Sequence, residues 1–162
     1  MPDIFHLLGG GILRVIDLFS HWVQIRNDLI DSIDHFDDDD LDYVLFPNSW
    51  SVGEIILHIA SAGEGWFQHV VGQETDQWPA DFKFKDHPSK DKIKGKLVEV
   101  HNRTIEFMST LEIEDLNTII DYPWDGNGSL SWIIWHVIEH EIHHRGELSL
   151  ILGMLGREGI DI

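Results

Sequence analysis

The chain has no cysteine among its 162 residues. Disulfides, thiolate metal sites and a cysteine nucleophile are therefore excluded, and any thiol chemistry needs a thiol carried in by a cosubstrate. Positive charge is also scarce. Eleven Lys and Arg stand against 29 Asp and Glu, a formal charge of −18 with the histidines neutral. Such a surface repels phosphate backbones and anionic membranes, so neither a nucleic-acid nor a membrane partner is expected. No apolar run approaches the length of a membrane span. The opening residues, Met1 to His6, lack the basic region and small-residue cleavage site of a signal peptide. A cytoplasmic protein is expected. Strand signals are missing too, apart from a short extended piece at Ile119-Ile120.

What the chain does have is helical periodicity, with seven tryptophans and 43% apolar residues to build a core. Its length suits a single domain over residues 1–162. Apolar residues recur at helical spacing over 12–33, 52–71, 88–111 and 130–155. The triplet Gly9-Gly10-Gly11 predicts a break before the first of these, with residues 3–8 as a separate turn. Asp37-Asp38-Asp39-Asp40 reads as a solvated loop, because it lacks the alternating ligands and glycine of a calcium-binding loop. Ser51-Val-Gly-Glu54 is a capping box that starts the second helix. Pro88 is expected near the first turn of the third helix. Ser129 is the expected N-cap of the fourth, and Gly156 its C-terminal stop. Residues 72–88 and 112–128 are long connections, of the kind that often carry function. Four amphipathic helices without a sheet give an all-α fold, a four-helix bundle.

The chemistry concentrates in the fourth helix, in His136-Val-Ile-Glu-His140-Glu-Ile-His143-His144-Arg145-Gly146-Glu147. Four of the eleven histidines fall there. His136, His140 and His144 repeat every fourth residue, which places them in a row on one helix face. Neutral imidazole is the commonest protein metal ligand. Helical spacing alone allows either His136 with His140 or His140 with His144. Two ligands do not fill a coordination shell, so a partner is needed from another helix. His58 is the candidate, an imidazole within an apolar stripe where burial without a partner is costly. His6, His21, His35, His69, His87 and His101 read as ordinary surface or loop residues. His140 to His144 also matches H-E-x-x-H, in which a glutamate acts as general base beside zinc. The extended form of that motif is broken by Arg145-Gly146-Glu147, and no strand is present to hold an extended peptide. A zinc protease is set aside.

Three stretches resemble the DinB family of small helical metal-binding proteins, which includes relatives of the bacillithiol S-transferases. They are Trp50-Ser-Val-Gly-Glu-Ile-Ile-Leu-His58, the segment from His136 to Glu147, and the ending Leu152-Gly-Met-Leu-Gly-Arg-Glu-Gly159. Their order and spacing match over nearly the whole chain. The resemblance implies an up-down-down-up four-helix bundle, usually a homodimer. It also implies a divalent metal, nickel or zinc foremost and iron or manganese after them, held by three histidines. Carried over position by position, these are His58, His140 and His144. His136 then lines the pocket or hydrogen-bonds beyond the ligands, and His143, about 100° round the helix from His144, faces another helix or solvent. Glu139, Glu141 and Glu147 are possible acceptors for the ligands' other ring N–H. Glu147 stands where the family commonly has Gln. Glu54 is accounted for as a cap.

Three protein ligands leave open positions on a metal. The expectation is therefore a metal-dependent enzyme with a small-molecule substrate. A low-molecular-weight thiol or a water would be deprotonated on the metal and would attack an electrophile, making the protein a transferase or a hydrolase. The competing expectation is a non-catalytic, stress-associated helical protein whose metal mainly stabilises the bundle. A sealed site with four protein ligands would favour the second.

Overall fold

The structure is a computed structural model that describes residues 13–159. The expected glycine break, the turn at 3–8 and His6 lie outside those residues. The helices are α1 (Val15–Leu18), α2 (Ser20–Ser32), α3 (Val52–Glu64), α4 (Lys90–Ser109) and α5 (Leu130–Met154). α3 runs straight into a π-helix, Gly65–Val71. α2 and α3 each lie against both α4 and α5, so they occupy opposite corners of a four-helix arrangement. Among the described residues the only sheet is a hairpin of β1 (Ile119–Asp121) and β2 (Asn127–Ser129), in register Ile119 to Ser129.

Local chemistry explains most helix ends. The Ser51 hydroxyl accepts from the Glu54 amide at 3.3 Å, and the Glu54 carboxylate accepts from the Ser51 amide at 3.0 Å. Two orphan donors are thereby satisfied at the start of α3. Ser129 caps α5 through the Trp132 amide at 3.2 Å. At its other end Gly156 takes φ +73, the Arg157 amide donates to the Leu152 carbonyl and the Gly156 amide to that of Gly153, a Schellman closure.

Four local expectations change. A single helix over 12–33 is interrupted at Phe19, whose φ of −111 and ψ of 25 leave the helical region. Its ring is buried and meets Trp135 edge-on at 5.8 Å, so tertiary seating of the ring accompanies the break. α4 begins after its N-cap Ser89, which leaves Pro88 outside the helix. The extended piece at 119–120 has a partner strand. The acidic run is not merely solvated. Asp38–Asp42 forms a 3-10 helix, Asp37 and Asp40 pair with Arg157 at 2.7 and 2.6 Å, and Asp38 accepts the Lys90 amide at 3.2 Å. The run ties the end of α5 and the start of α4 to the chain after α2.

The core comes in two halves. One gathers Leu29, Ile33, Ile56, Leu97, Leu148 and Leu152, and the other Trp22, Phe67, Met108, Leu130, Ile134 and Ile138. Each such side chain contributes about 1.5–3 kcal/mol on burial. Between the halves, on four helices, sit buried polar residues: Arg26 on α2, Ser61 on α3, His101 and Thr104 on α4, and Glu141, His144 and Arg145 on α5.

Candidate metal centre

The histidine cluster forms at the level of this polar belt, where α3 faces α5. The i, i+4 spacing brings the His140 and His144 rings to 4.6 Å centroid separation. His58 reaches across from α3, its ring 4.9 Å from His140 and 5.1 Å from His144. One ring nitrogen from each lies within 4.8 Å of the others, and the Nε2 atoms of His58 and His140 are 3.1 Å apart. The expected trio thus comes together from two helices.

The surroundings keep two of these rings neutral. Burial pushes His140 down to about 3, and the neighbouring His144, His58, His136 and His143 add to it. His58 is lowered first by burial and then by His144, with Asp81 and Glu147 opposing. Between neutral rings the 3.1 Å contact of the His58 and His140 Nε2 atoms is a single hydrogen bond, and a cation that displaces its proton takes both nitrogens as ligands. The Nδ1 of His144 meets Glu147 Oε2 at 2.9 Å, which leaves its Nε2 for the cluster. The Nδ1 of His58 has no hydrogen-bond partner and stands 3.9 Å from Asp81 Oδ1. Asp81 belongs to the long connection after α3. That segment is pinned where Phe82 donates its amide to the Ser61 hydroxyl at 2.8 Å. Trp50 covers the His58 ring at 4.3 Å.

The donor set fits a divalent ion. Three imidazoles suit zinc, nickel and iron, and the Nε2 of His58 is the ring nitrogen turned toward the cluster, 3.1 Å from that of His140. The site is not sealed, since the His58 side chain is 24% exposed. A small space of about 40 Å³ adjoins it, lined by Trp50, Glu54, His58, Asp81, Phe82 and Lys83. A larger cleft of about 460 Å³ lies between α3 and α4, where Arg103 pairs with Glu64 at 3.2 Å, but no histidine lines it.

The other candidates separate. Glu141, the glutamate of the H-E-x-x-H match, is 1% exposed and turns away from the imidazoles. It accepts from Arg26 at 2.8 Å and Trp22 Nε1 at 3.0 Å, so it is no base for this site. His143 is exposed, edge-on to His144 at 4.9 Å. His136 stacks flat on Trp132. Glu139 is exposed, away from the cluster's hydrogen bonds. Two histidines expected on the surface are buried instead. His69 Nδ1 donates to the Thr75 carbonyl at 2.8 Å. His101 lies edge-on to Trp22 at 5.5 Å, held down to about 3 by burial and by Arg26. The apolar spacing of Ile93, Leu97, Val100, Thr104 and Met108 is the signal that places His101 inward. Asp81 and Trp50 join the site without any sequence signal, because their positions depend on how loops fold over α3.

The DinB superfamily model matches residues 21–148. The chain is 26% identical over 98 residues to the uncharacterized protein YizA of Bacillus subtilis strain 168, spanning 59% of this chain and 58% of that protein. It is 24% identical over 144 residues to a Bacillus cereus ATCC 14579 protein named "Putative metal-dependent hydrolase", spanning 78% and 83%. A solved DinB-like protein from Bacillus cereus ATCC 10987 matches with a TM-score of 0.75 at 20% identity, over 94% of this chain and 99% of that one. The colibactin self-resistance protein ClbS, solved in complex with a double-stranded DNA, matches with a TM-score of 0.66 at 14% identity, over 85% and 94%. At such identities the structural likeness speaks for the fold.

Proposed function

This chain belongs to the DinB superfamily, and we propose that it is a metal-dependent enzyme for a small-molecule substrate, with His58, His140 and His144 as the ligands of one divalent ion. The observation that carries this is the convergence of three ring nitrogens within 4.8 Å, from two helices, on a face open to solvent. Nickel or zinc is the expected metal, with iron or manganese as alternatives. Bound there with open positions, such an ion supplies Lewis acidity that turns a water or a low-molecular-weight thiol into a nucleophile near neutral pH. The chain's own residues set the stage. Glu147 fixes the tautomer of His144, Asp81 is placed to do the same for His58, and the Trp50 ring limits water around it.

The named Bacillus cereus relative favours hydrolysis; the lack of cysteine suits a borrowed thiol equally well. We place the protein in the cytoplasm, where such thiols are kept reduced. The charge of −18 argues against duplex binding of the kind seen with ClbS. A homodimer is supported by exposed Ile142, Leu150 and Met154 along α5, with open space at Gly146 and Gly153. The test is a structure with anomalous scattering at the metal edges, paired with turnover assays of metal-loaded protein on ester and amide substrates and on electrophiles with cellular thiols. Bound metal without turnover in any arm would replace this reading with the second one, a stress-associated protein whose metal stabilises the bundle.

A further inference from the structure

Four of the seven tryptophans meet at one end of the bundle, drawn from four separate segments. Trp66 is the hub. Its indole lies edge-on to Trp78 at 6.0 Å, Tyr122 at 5.6 Å, Trp124 at 5.8 Å, Trp132 at 6.1 Å and His136 at 4.9 Å. Trp132 stacks flat on His136, 4.9 Å away and 6° from parallel. The backbone makes room for these rings. A Cβ on Gly65 would overlap the Trp78 indole, and one on Gly128 would overlap the Tyr122 hydroxyl. Trp66 is presented by the π-helix, a form that recurs at functional sites.

This wall is not a closed core. Trp78, Trp124 and Trp132 are 39%, 47% and 49% exposed. Beside it runs an open groove of about 540 Å³ lined by Ser129, Ser131, Trp132, Trp135, His136 and Glu139, so of the wall's rings Trp132 and His136 face it. The segments that carry the wall are acidic. Residues 72–82 and 119–139 hold Glu74, Asp76, Asp81, Asp121, Asp125 and Glu139, and no Lys or Arg. Indole faces are electron-rich and attract cations, most strongly when several rings converge. An anionic ligand would be repelled by the same acids.

We propose that this groove binds a small organic cation, a quaternary or protonated ammonium. Its charge sits against the Trp132 and Trp135 faces, with the Glu139 carboxylate as counter-ion. The inference stands without the metal reading, although His136 is one helical turn from His140 and the groove therefore borders the histidine cluster.

The test titrates metal-free, full-length protein by tryptophan fluorescence. The probe is choline, with its uncharged carbon isostere 3,3-dimethylbutanol as control and sodium chloride at matched ionic strength. Choline is expected to give a saturable change, with the isostere binding about tenfold more weakly or worse. Trp132→Ala and Glu139→Gln should each weaken choline severalfold. Trp132→Phe keeps an aromatic face and should retain most of the binding, with helicity by circular dichroism unchanged. Equal affinity for the isostere, or no saturable signal, overturns the proposal. It is also overturned if sedimentation shows a dimer that Trp132→Ala or Trp135→Ala splits while choline binding is unaffected; the groove is then an interface between copies of the chain.

Discussion

At one level of the bundle, two sides of α5 hold opposite kinds of polar cluster. On one side His140 and His144 meet His58, with solvent at the edge and acidic neighbours in Glu147 and Asp81. On the other, Glu141 and Arg145 are 1% and 5% exposed and meet Arg26, Trp22 and Asp28. These residues interleave in sequence, and one step of about 100° decides which side each joins. The first cluster gathers three imidazoles with one ring nitrogen of each within 4.8 Å of the others. The second is a buried ion pair, Arg26 to Glu141 at 2.8 Å, with Arg26 Nε and Nη1 and Glu141 Oε1 left without hydrogen-bond partners. Burying a neutral imidazole costs less than burying a charge, and these three nitrogens lie close enough to share one cation. Burying an ion pair costs several kcal/mol of desolvation, which its own geometry must offset. One side is built to receive something, the other to hold helices in register.

Four experiments separate the two sides. The largest stability effect is expected on the buried side. Arg26→Ala strands the Glu141 carboxylate and should cost about 3–5 kcal/mol in urea unfolding, whereas replacing both residues with Leu should recover most of it. A single-variant loss below about 1 kcal/mol would show that the pair holds nothing together. On the open side the loss should appear in metal binding. His58→Ala, His140→Ala and His144→Ala should each weaken metal affinity by more than about a hundredfold while leaving metal-free stability within about 1 kcal/mol. His143→Ala should keep its metal, and elemental analysis of the four proteins decides this.

Glu147→Ala removes the acceptor for His144 Nδ1 and should lower metal affinity by about ten- to a hundredfold, with no change in unfolding midpoint. Such a change in midpoint with unaltered affinity would make Glu147 a structural residue only. The smallest effect concerns pH. His101 is held near 3 in the folded protein and rises to its ordinary value near 6.5 on unfolding. The unfolded chain therefore binds more protons below pH 6.5, so this residue's contribution is intact above that pH and is lost as pH falls from 6.5 toward 3. His101→Phe should show a shallower fall in melting temperature between pH 7 and 5 than the parent protein. Identical slopes would place His101 in contact with water.

Much of the frame is legible locally. The Ser51 box, the Ser129 cap and the Gly156 stop act within a few residues, so spacing alone reveals them. The i, i+4 histidines are legible for the same reason, because a helix makes them neighbours. The direction of Glu141 is not. H-E-x-x-H looks the same whether its glutamate faces a metal or an arginine, and Arg26 lies 115 residues away. His69 shows the same limit, because the Thr75 carbonyl that accepts from it lies on a connection whose path spacing does not reveal. The aromatic wall is less visible still, because each of its four tryptophans arrives on a different segment.

By itself the sequence determined an all-α chain with four long helices, the caps that bound most of them, and a histidine ladder on the last. Those follow from backbone geometry and from hydrogen bonds between near neighbours. Only the tertiary structure decided that Asp81 and Trp50 flank the histidine cluster, that Glu141 is spent on Arg26, and that four tryptophans share one wall. These depend on which helix faces which and on where two long connections come to rest. Side chains far apart in the chain choose such contacts together, by filling shared space and neutralising shared charge.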